Sequence, residues 1–359
     1  MSQQQNDFIK KCFELAKKAA GFVSPNPMVG ALLVKQDKII GEGYHQKYGG
    51  AHAEIIAINS ATKVLTGSTL YCNLEPCCHT HKQTPPCVPQ IIKAGIKKVV
   101  ISNLDPNPAV SGKGVQQLLN ARIEVITGVS QNEGEELNKF YFKFISNAKP
   151  YISIKIAQSI DGKITEEKNK QTWLTGKEAQ KYVHQQRAIY DAVLVGAETI
   201  NIDNPELNVR LVDGRNPKRI ILDGNLSLNL NSKILKAADI ENTWIITCNG
   251  IDNEKLFKLK EKGVRILQMP ADQLNHISLI KLLDELAKQK ISSLFIEGGS
   301  NIFSQFITEK LFDELIILQA PVVLGKGLSA ISGSVNISLN TIDTVKLGKD
   351  IKMTFRKCD

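Results

Sequence analysis

Apolar side chains recur at helical spacing near the start of the chain: Phe8, Ile9, Cys12, Phe13, Leu15, Ala16 and Ala19, with Gly21 where a C-cap glycine belongs. The period then shortens. Residues 29–34 and 39–44 read as strands joined by a tight turn at Gln36-Asp37-Lys38. A helix is predicted from His52 through Ile58, a strand over 69–74, and a helix that has Pro86 in its first turn and ends before Gly95. Strands at 99–101 and 124–126 flank a helix near 114–121. Residues 131–147 put Leu137, Phe140, Tyr141 and Phe144 on one face and predict a single helix, which Asn147-Ala148-Lys149-Pro150 breaks.

Beyond that break the alternation of strand and helix resumes. Strands are predicted at 151–157, 163–164, 192–195, 220–222, 244–247, 265–267, 294–297, 315–319 and 351–355, and helices at 177–190, between the strands at 244 and 265, at 279–290 and after Gly299. This order predicts two α/β domains, residues 1–148 and 149–359. The second half contains no Gly-x-Gly-x-x-Gly turn. Its Glu297-Gly298-Gly299-Ser300-Asn301 turn, between a strand and a helix, is the place where backbone N–H groups could meet a phosphate.

Composition narrows the class. A chain of 359 residues with 42% apolar and 23% charged residues suits a two-domain globular protein. No apolar run approaches the ~20 residues of a membrane span, and the start is polar, so a cytoplasmic protein without membrane contact is expected. Seven cysteines, an odd and clustered set, point to reduced thiols, some on metal. The net charge of +9 suits phosphate-bearing partners. The basic residues are scattered and not interleaved with aromatics, so no nucleic-acid partner is expected.

The candidate chemistry of the first half lies in His52-Ala53-Glu54, Glu75-Pro76-Cys77 and Pro85-Pro86-Cys87. One imidazole and two thiols make three zinc ligands and leave a fourth position open, as in a catalytic site. Cys72, Cys78, His79 and His81 are alternative ligands on spacing alone, and a structural four-ligand site is the competing reading. Glu54, two residues from the histidine, is the spare carboxylate that a metal-activated water needs as proton shuttle. A His-x-Glu followed by Pro-Cys and another Cys is the signature of zinc-dependent base deaminases. Histidine and glutamate can serve one site only if both stand at a helix start.

The run Ser24-Pro25-Asn26-Pro27-Met28-Val29-Gly30, Gly43-Tyr44-His45, His52-Ala53-Glu54, Leu74-Glu75-Pro76-Cys77, Thr84-Pro85-Pro86-Cys87 and Asp105-Pro106-Asn107-Pro108 resembles the deaminase half of the bifunctional riboflavin-biosynthesis deaminase–reductases. The resemblance implies a cytidine-deaminase-like α/β/α domain in which His52, Cys77 and Cys87 bind zinc, Glu54 is the proton donor and Asn26 lines the pyrimidine pocket. The loop from Cys78 to Thr84 departs from the family pattern. It is one residue longer, lacks a glycine and moves Lys82, a candidate for the substrate phosphate, away from the threonine. The insertion falls between the ligands and leaves the zinc assignment intact.

The second half resembles the reductase half of the same enzymes, which is similar to dihydrofolate reductase in fold and uses NADPH. The residues are Lys155 with Ser159-Ile160-Asp161-Gly162-Lys163, Trp173-Leu174-Thr175, Gly196-x-x-Thr199, Asp203-Asn204-Pro205-x-Leu207-x-x-Arg210, Ile221-Leu222-Asp223 and Glu297-Gly298-Gly299. The resemblance implies that Ala157, Trp173, Thr199, Asp203, Gly299, Ser300 and Asn301 contact NADPH. It implies that Gln171, Arg187, Leu207, Arg210 and Glu297 contact substrate, with Arg187 and Arg210 as a clamp on a ribose phosphate. Lys155 and Asp161 are candidates for proton handling. The partners expected are a small phosphorylated pyrimidine and further copies of the chain.

Overall fold

The computed structural model describes residues 3–80, 84–250, 253–271 and 277–358; His81 and Lys82 lie outside the described residues. The chain divides into two units between Lys149 and Pro150.

In the first unit, helix α1 (Gln3–Lys17) precedes a hairpin of β1 (Gly30–Lys35) and β2 (Lys38–Tyr44). Gln36 and Asp37 both take positive φ, 51° and 59°, the hand that a two-residue hairpin turn needs. The chain continues through α2 (Ala53–Asn59), β3 (Thr69–Leu74), α3 (Cys87–Lys93), β4 (Lys98–Asn103), α4 (Lys113–Asn120) and β5 (Glu124–Ile126). The sheet order is β2-β1-β3-β4-β5, with β3, β4 and β5 parallel. Both faces are covered. Ala31 and Leu33 of β1 join one core with Ala57 of α2 and Ile91 of α3. Leu32 and Val34 join a second core with Ile9 and Phe13 of α1. Strand residues buried on both sides read as continuous apolar runs, which is why the strands were legible. At Gly41 and Gly43 any Cβ would meet the backbone of α2, 2.5 Å from Ala57 O and 2.6 Å from Ala53 O. Helix α2 therefore lies directly on β2.

Two expectations are corrected here. Pro86 is the N-cap, with extended backbone (φ −64°, ψ 145°), so Cys87 opens α3. The single helix expected over 131–147 is two, α5 (Gln131–Leu137) and α6 (Lys139–Asn147), broken at Asn138 (φ −107°, ψ 23°). The buried Asn138 side chain accepts from Met28 N–H at 2.8 Å and donates to Met28 C=O at 3.0 Å. A contact spanning 110 residues thus overrides the local helical period.

The second unit opens with β6 (Tyr151–Gln158), β7 (Lys163–Thr165), α7 (Lys177–Ile189), β8 (Ala192–Gly196), α8 (Ala197–Asp203) and β9 (Lys218–Leu222). It continues with β10 (Thr243–Cys248), α9 (Asn253–Glu261), β11 (Arg265–Met269), α10 (Leu279–Lys288), β12 (Ser293–Ile296), α11 (Ser300–Thr308) and β13 (Glu314–Gln319). Strands β14 (Leu328–Ser329), β15 (Leu339–Leu347) and β16 (Asp350–Lys357) end it. Nine strands form one sheet in the order β11-β10-β9-β8-β12-β6-β13-β16-β15. All are parallel except the hairpin of β15 and β16, which pairs antiparallel to β13. Chain order reverses at β12, which lies between β8 and β6. Ligands in open α/β sheets bind beyond the strand ends at such a switch point. Strand β15 was not foreseen: a register shift between Thr341 and Asp343 breaks its alternation, and it is largely exposed.

Replacing Asn138 by alanine leaves Met28 N–H without its acceptor, while Met28 C=O still accepts from Asn73 Nδ2 at 2.9 Å. A loss of roughly 1–3 kcal/mol is expected, as for one buried polar group left unpaired. It is checked by a lowered urea midpoint at unchanged slope; an unmoved midpoint would show that Met28 is held by other means.

Candidate active sites

In the first unit two helix starts and one strand end converge. His52 is the N-cap of α2, with extended backbone, and Glu54 sits in its first turn. Cys77 follows β3 by three residues, and its carbonyl accepts from Cys87 N–H (3.0 Å) and Val88 N–H (3.2 Å). Glu75 holds that loop: its buried carboxylate accepts from the N–H groups of Asp105 (3.2 Å), Gly112 (2.9 Å) and Val115 (3.1 Å). His52, Cys77 and Cys87 bring their ligand atoms within 4.8 Å of one another. His52 Nδ1 lies 3.4 Å from each of the two Sγ atoms. Tetrahedral zinc, with Zn–N about 2.0–2.1 Å and Zn–S about 2.3 Å, places such atoms about 3.5 Å apart, so the donor set fits the ion. Among the described residues no other His, Cys or carboxylate joins this cluster. Cys72 is buried in β3 with its thiol towards Val100 O, and Cys78 turns towards Ala109 O.

Glu54 is buried, and burial above all pushes its carboxyl pKa up. A carboxylate in that condition takes up a proton readily. Two neighbours carry roles that sequence reading left unassigned. Thr84 Oγ1 lies 3.1 Å from His52 Nε2, the nitrogen that faces away from the thiols. His45 packs edge-on to His52, with ring centroids 5.5 Å apart. Its Nδ1 faces Ala51 O at 3.0 Å and so carries the proton, leaving Nε2 to accept from Asn26 Nδ2 at 3.2 Å. Burial holds the His45 pKa below its ordinary value. Asn26 thus spends an amide N–H on His45. Both residues stood in quoted motifs; only the fold pairs them with His52 and Asn26.

In the second unit a cavity of ≈ 530 Å³ opens beyond the strand ends at β12. Its walls gather Lys155, Ala157, Gln171, Trp173, Arg187, Thr199, Asp203, Leu207, Arg210, Glu297, Gly299, Ser300 and Asn301. Trp173 is 70% exposed, an aromatic surface ready to be covered. Gly299 takes φ 85° as the N-cap of α11, a left-handed conformation that favours glycine. A Cβ at Gly298 would stand 2.9 Å from Val195 and 3.0 Å from Thr199, so the turn sits tightly on β8 and α8.

Asp161 is the exception. It does not line the cavity; its carboxylate accepts from Leu324 N–H (3.0 Å) and Gly325 N–H (2.8 Å), and its pKa is lowered to about 2, first by the Leu324 hydrogen bond. A group so committed to backbone is a loop anchor, not a proton carrier. The expected pairing of Arg187 and Arg210 as a clamp is also redrawn. Arg187 grips Glu297 in bidentate fashion, Nε to Oε1 at 2.5 Å and Nη2 to Oε2 at 2.8 Å, and donates from Nη1 to Asn208 O at 3.1 Å. Arg210 is exposed, with Nη1 on Asn208 Oδ1 at 2.7 Å. Lys155 Nζ lies 3.6 Å from Glu297 Oε2. Burial alone would raise the Glu297 pKa, but Arg187 and then Lys155 pull it down to about 2. Burial lowers the Lys155 pKa, and Glu297 opposes that.

Base-directed hydrolytic deaminases use an open three-ligand zinc site with a neighbouring carboxylate, and the cleft of the second unit is a separate cavity of ligand size. Residues 2–103 match the cytidine and deoxycytidylate deaminase zinc-binding region, and residues 150–353 match the RibD C-terminal domain. The riboflavin biosynthesis protein RibD of Aquifex aeolicus is 42% identical over 359 residues, covering 98% of each chain. That of Escherichia coli is 34% identical over 346 residues, 92% of each chain. Among solved structures, Acinetobacter baumannii RibD superposes with a TM-score of 0.90 at 35% identity, covering 99% of each chain. The diaminohydroxyphosphoribosylaminopyrimidine deaminase/5-amino-6-(5-phosphoribosylamino)uracil reductase of Thermotoga maritima does so with 0.86 at 35%, with the same coverage.

The chain belongs to the RibD family of bifunctional deaminase–reductases of riboflavin biosynthesis. Zinc serves the first activity and NADPH the second. The α/β class, with a deaminase-like unit followed by one like dihydrofolate reductase, agrees with the sequence reading. Among the described residues no helix is long and apolar enough to cross a membrane.

His184, on the cavity wall, was not foreseen. Burial first, then Arg187 and Arg210, push its pKa down to about 4. An unfolded histidine titrates near 6.5, so between about pH 6.5 and 4 the unfolded chain takes this proton and the folded chain does not. The stability from this group is complete above about pH 6.5 and is lost progressively towards pH 4. His184→Asn is expected to flatten that part of the stability curve, read as urea midpoints from pH 7 to 4.5. An unchanged slope would mean that His184 charges as easily folded as unfolded.

Proposed function

We propose that the first unit hydrolyses the 2-amino group of 2,5-diamino-6-(ribosylamino)-4(3H)-pyrimidinone 5′-phosphate. The second unit then reduces the ribosyl group of the product to ribityl, giving 5-amino-6-(ribitylamino)uracil 5′-phosphate. The observation that carries this reading is the meeting of His52 Nδ1 with two thiols at 3.4 Å beside the buried Glu54. His52, Cys77 and Cys87 would hold the zinc. When bound, zinc supplies Lewis acidity and brings the pKa of a coordinated water from ~15.7 to near 7. Glu54 would carry the two water protons in turn, one to the ring nitrogen, where it stays, and the other to the amine, which leaves as ammonia while the water oxygen remains as the carbonyl. Asn26 presents its amide oxygen to a donor on the pyrimidine edge, fixed in that sense by His45.

In the second unit NADPH supplies the hydride. Ala157, Trp173, Thr199, Asp203 and the turn from Gly299 through Ser300 to Asn301 would hold it. Arg210, with Gln171 and Leu207 beside it, receives the substrate phosphate. Net, C1′ gains a hydride and O4′ a proton as the C1′–O4′ bond opens. Lys155 Nζ is the proton source, its lowered pKa easing release. Glu297, held by Arg187, keeps Lys155 in place. A reducing compartment, the cytoplasm, suits seven cysteines of which none forms a disulfide among the described residues, with Cys77 and Cys87 as zinc ligands. Self-association belongs to the same reading, supported by the edge strand β15 with Ile342 and Val345 exposed; sedimentation tests it.

The test is ammonia release from the diaminopyrimidine phosphate by zinc-loaded protein. Glu54→Ala is expected to lower the rate at least 100-fold, the usual scale of a lost acid–base group, with stoichiometric zinc retained and NADPH oxidation on the deaminated substrate unchanged. Undiminished ammonia release would remove Glu54 from the chemistry.

Thr84 is expected to tune the metal through His52, since partners of a ligand histidine commonly contribute 10–100-fold in affinity. Thr84→Val should speed zinc loss to a chelator by about ten-fold, with Thr84→Ser near the parent rate. Equal rates for all three proteins would show that this hydroxyl does not orient His52.

A further inference from the structure

Helix α7 carries His184 and Arg187 three residues apart, on one face. Both reach the same short stretch of chain. His184 Nδ1 accepts from Arg210 N–H at 3.1 Å. Arg187 Nη1 donates to Asn208 O at 3.1 Å. Between them Val209 N–H is taken by Asn216 Oδ1 at 2.8 Å. This stretch begins at Leu207, which is buried and held at φ 53°, a left-handed conformation that a leucine rarely adopts. Backbone in such a state persists only where its surroundings over-determine it, and costs on the order of 1–3 kcal/mol. The Leu207 side chain is packed in the core with Ile200, Leu226 and Leu228, and the three hydrogen bonds just named hold the residues that follow it.

We propose that His184 is a positioning residue of the reductase site, whose Nδ1 pins the Arg210 backbone and so holds the Leu207–Arg210 strap in its strained form. The proposal rests on the reading that Arg210 receives the substrate phosphate. An acceptor is required at this point, because Arg210 N–H has to be paired when the strap packs on α7. A cation is disfavoured at this ring, which is buried and flanked by Arg187 and Arg210. With Nδ1 accepting, the neutral ring carries its proton on Nε2. His184 does not touch the reacting atoms in this account. It acts through Arg210, so its loss weakens substrate binding more than turnover.

The experiment compares His184→Leu, which has no acceptor, with His184→Asn, whose side-chain oxygen overlays Nδ1. The readouts are KM and kcat for reduction of the ribosylaminouracil phosphate, and NADPH binding followed by quenching of the exposed Trp173. His184→Leu is expected to raise KM about ten-fold, the scale of one lost hydrogen bond, with kcat within two-fold and NADPH binding unchanged. His184→Asn is expected to return KM to within about three-fold of the parent. Equal impairment of both variants overturns the proposal, as does a fall in kcat with KM unmoved. Should His184→Leu fail to fold, nitrogen NMR of the parent decides: an Nε2–H ring with Nδ1 accepting supports the pin, and an Nδ1–H or doubly protonated ring overturns it. Arg210→Met, assayed with the phosphate and with its dephosphorylated nucleoside, separates the two readings. If it impairs both substrates equally, the phosphate assignment fails, while the contrast between leucine and asparagine still judges the pin.

Discussion

A buried glutamate side chain stands one residue beyond the end of an inner strand in each unit, and each site is arranged around it. Glu75 follows β3, which ends at Leu74, and Glu297 follows β12, which ends at Ile296. A carboxylate out of water must be paired or hydrogen-bonded. Placing one at a strand end therefore dictates what gathers there. At Glu75 the partners are three backbone N–H groups from the 105–115 segment. They hold the Pro76-Cys77 turn, and through the Cys77 carbonyl the start of α3 with Cys87. At Glu297 the partners are the Arg187 guanidinium and the Lys155 ammonium.

The two solutions have opposite chemical consequences. Glu75 has its oxygens engaged by neutral donors, so it builds a scaffold that sets where the thiols and imidazole meet. Glu297 has its oxygens engaged by cations, so it draws charge into the cavity and fixes where that charge lies. Burial and Glu297 act in opposite directions on the Lys155 pKa, and burial is the stronger. The tie between Glu297 and Arg187 leaves Arg210 as the exposed arginine of the expected clamp. An arginine bound in this way orders its surroundings, and the strap after Leu207 is ordered from the same helix.

Much of this was legible because the informative spacing was local. The zinc set could be read from residue types within 36 positions, and the continuous apolar strands from their composition. What stayed hidden was long in sequence or broken in period. Asn138 interrupts a helix for a partner at Met28, and Arg187 meets Glu297 across 110 residues. Neither contact leaves a trace in local pattern. Strand β15 lost its alternation to a register shift. Asp161 was drawn towards the chemistry by its place in a motif, although its carboxylate is occupied by the backbone of Leu324 and Gly325. A motif shows which residues travel together; it does not show whether a side chain faces a ligand or its own chain.

Glu54 and Glu75 make the same point within one site. Both are acidic, both are buried and both lie beside the thiols. Composition cannot tell them apart. Their donors can. Glu75 answers three N–H groups from a segment that it holds in place. Glu54 sits at the start of α2, with burial pressing its pKa upward. Surroundings alone separate the two: one carboxylate is bound into the frame, and the other is the one proposed above to move protons.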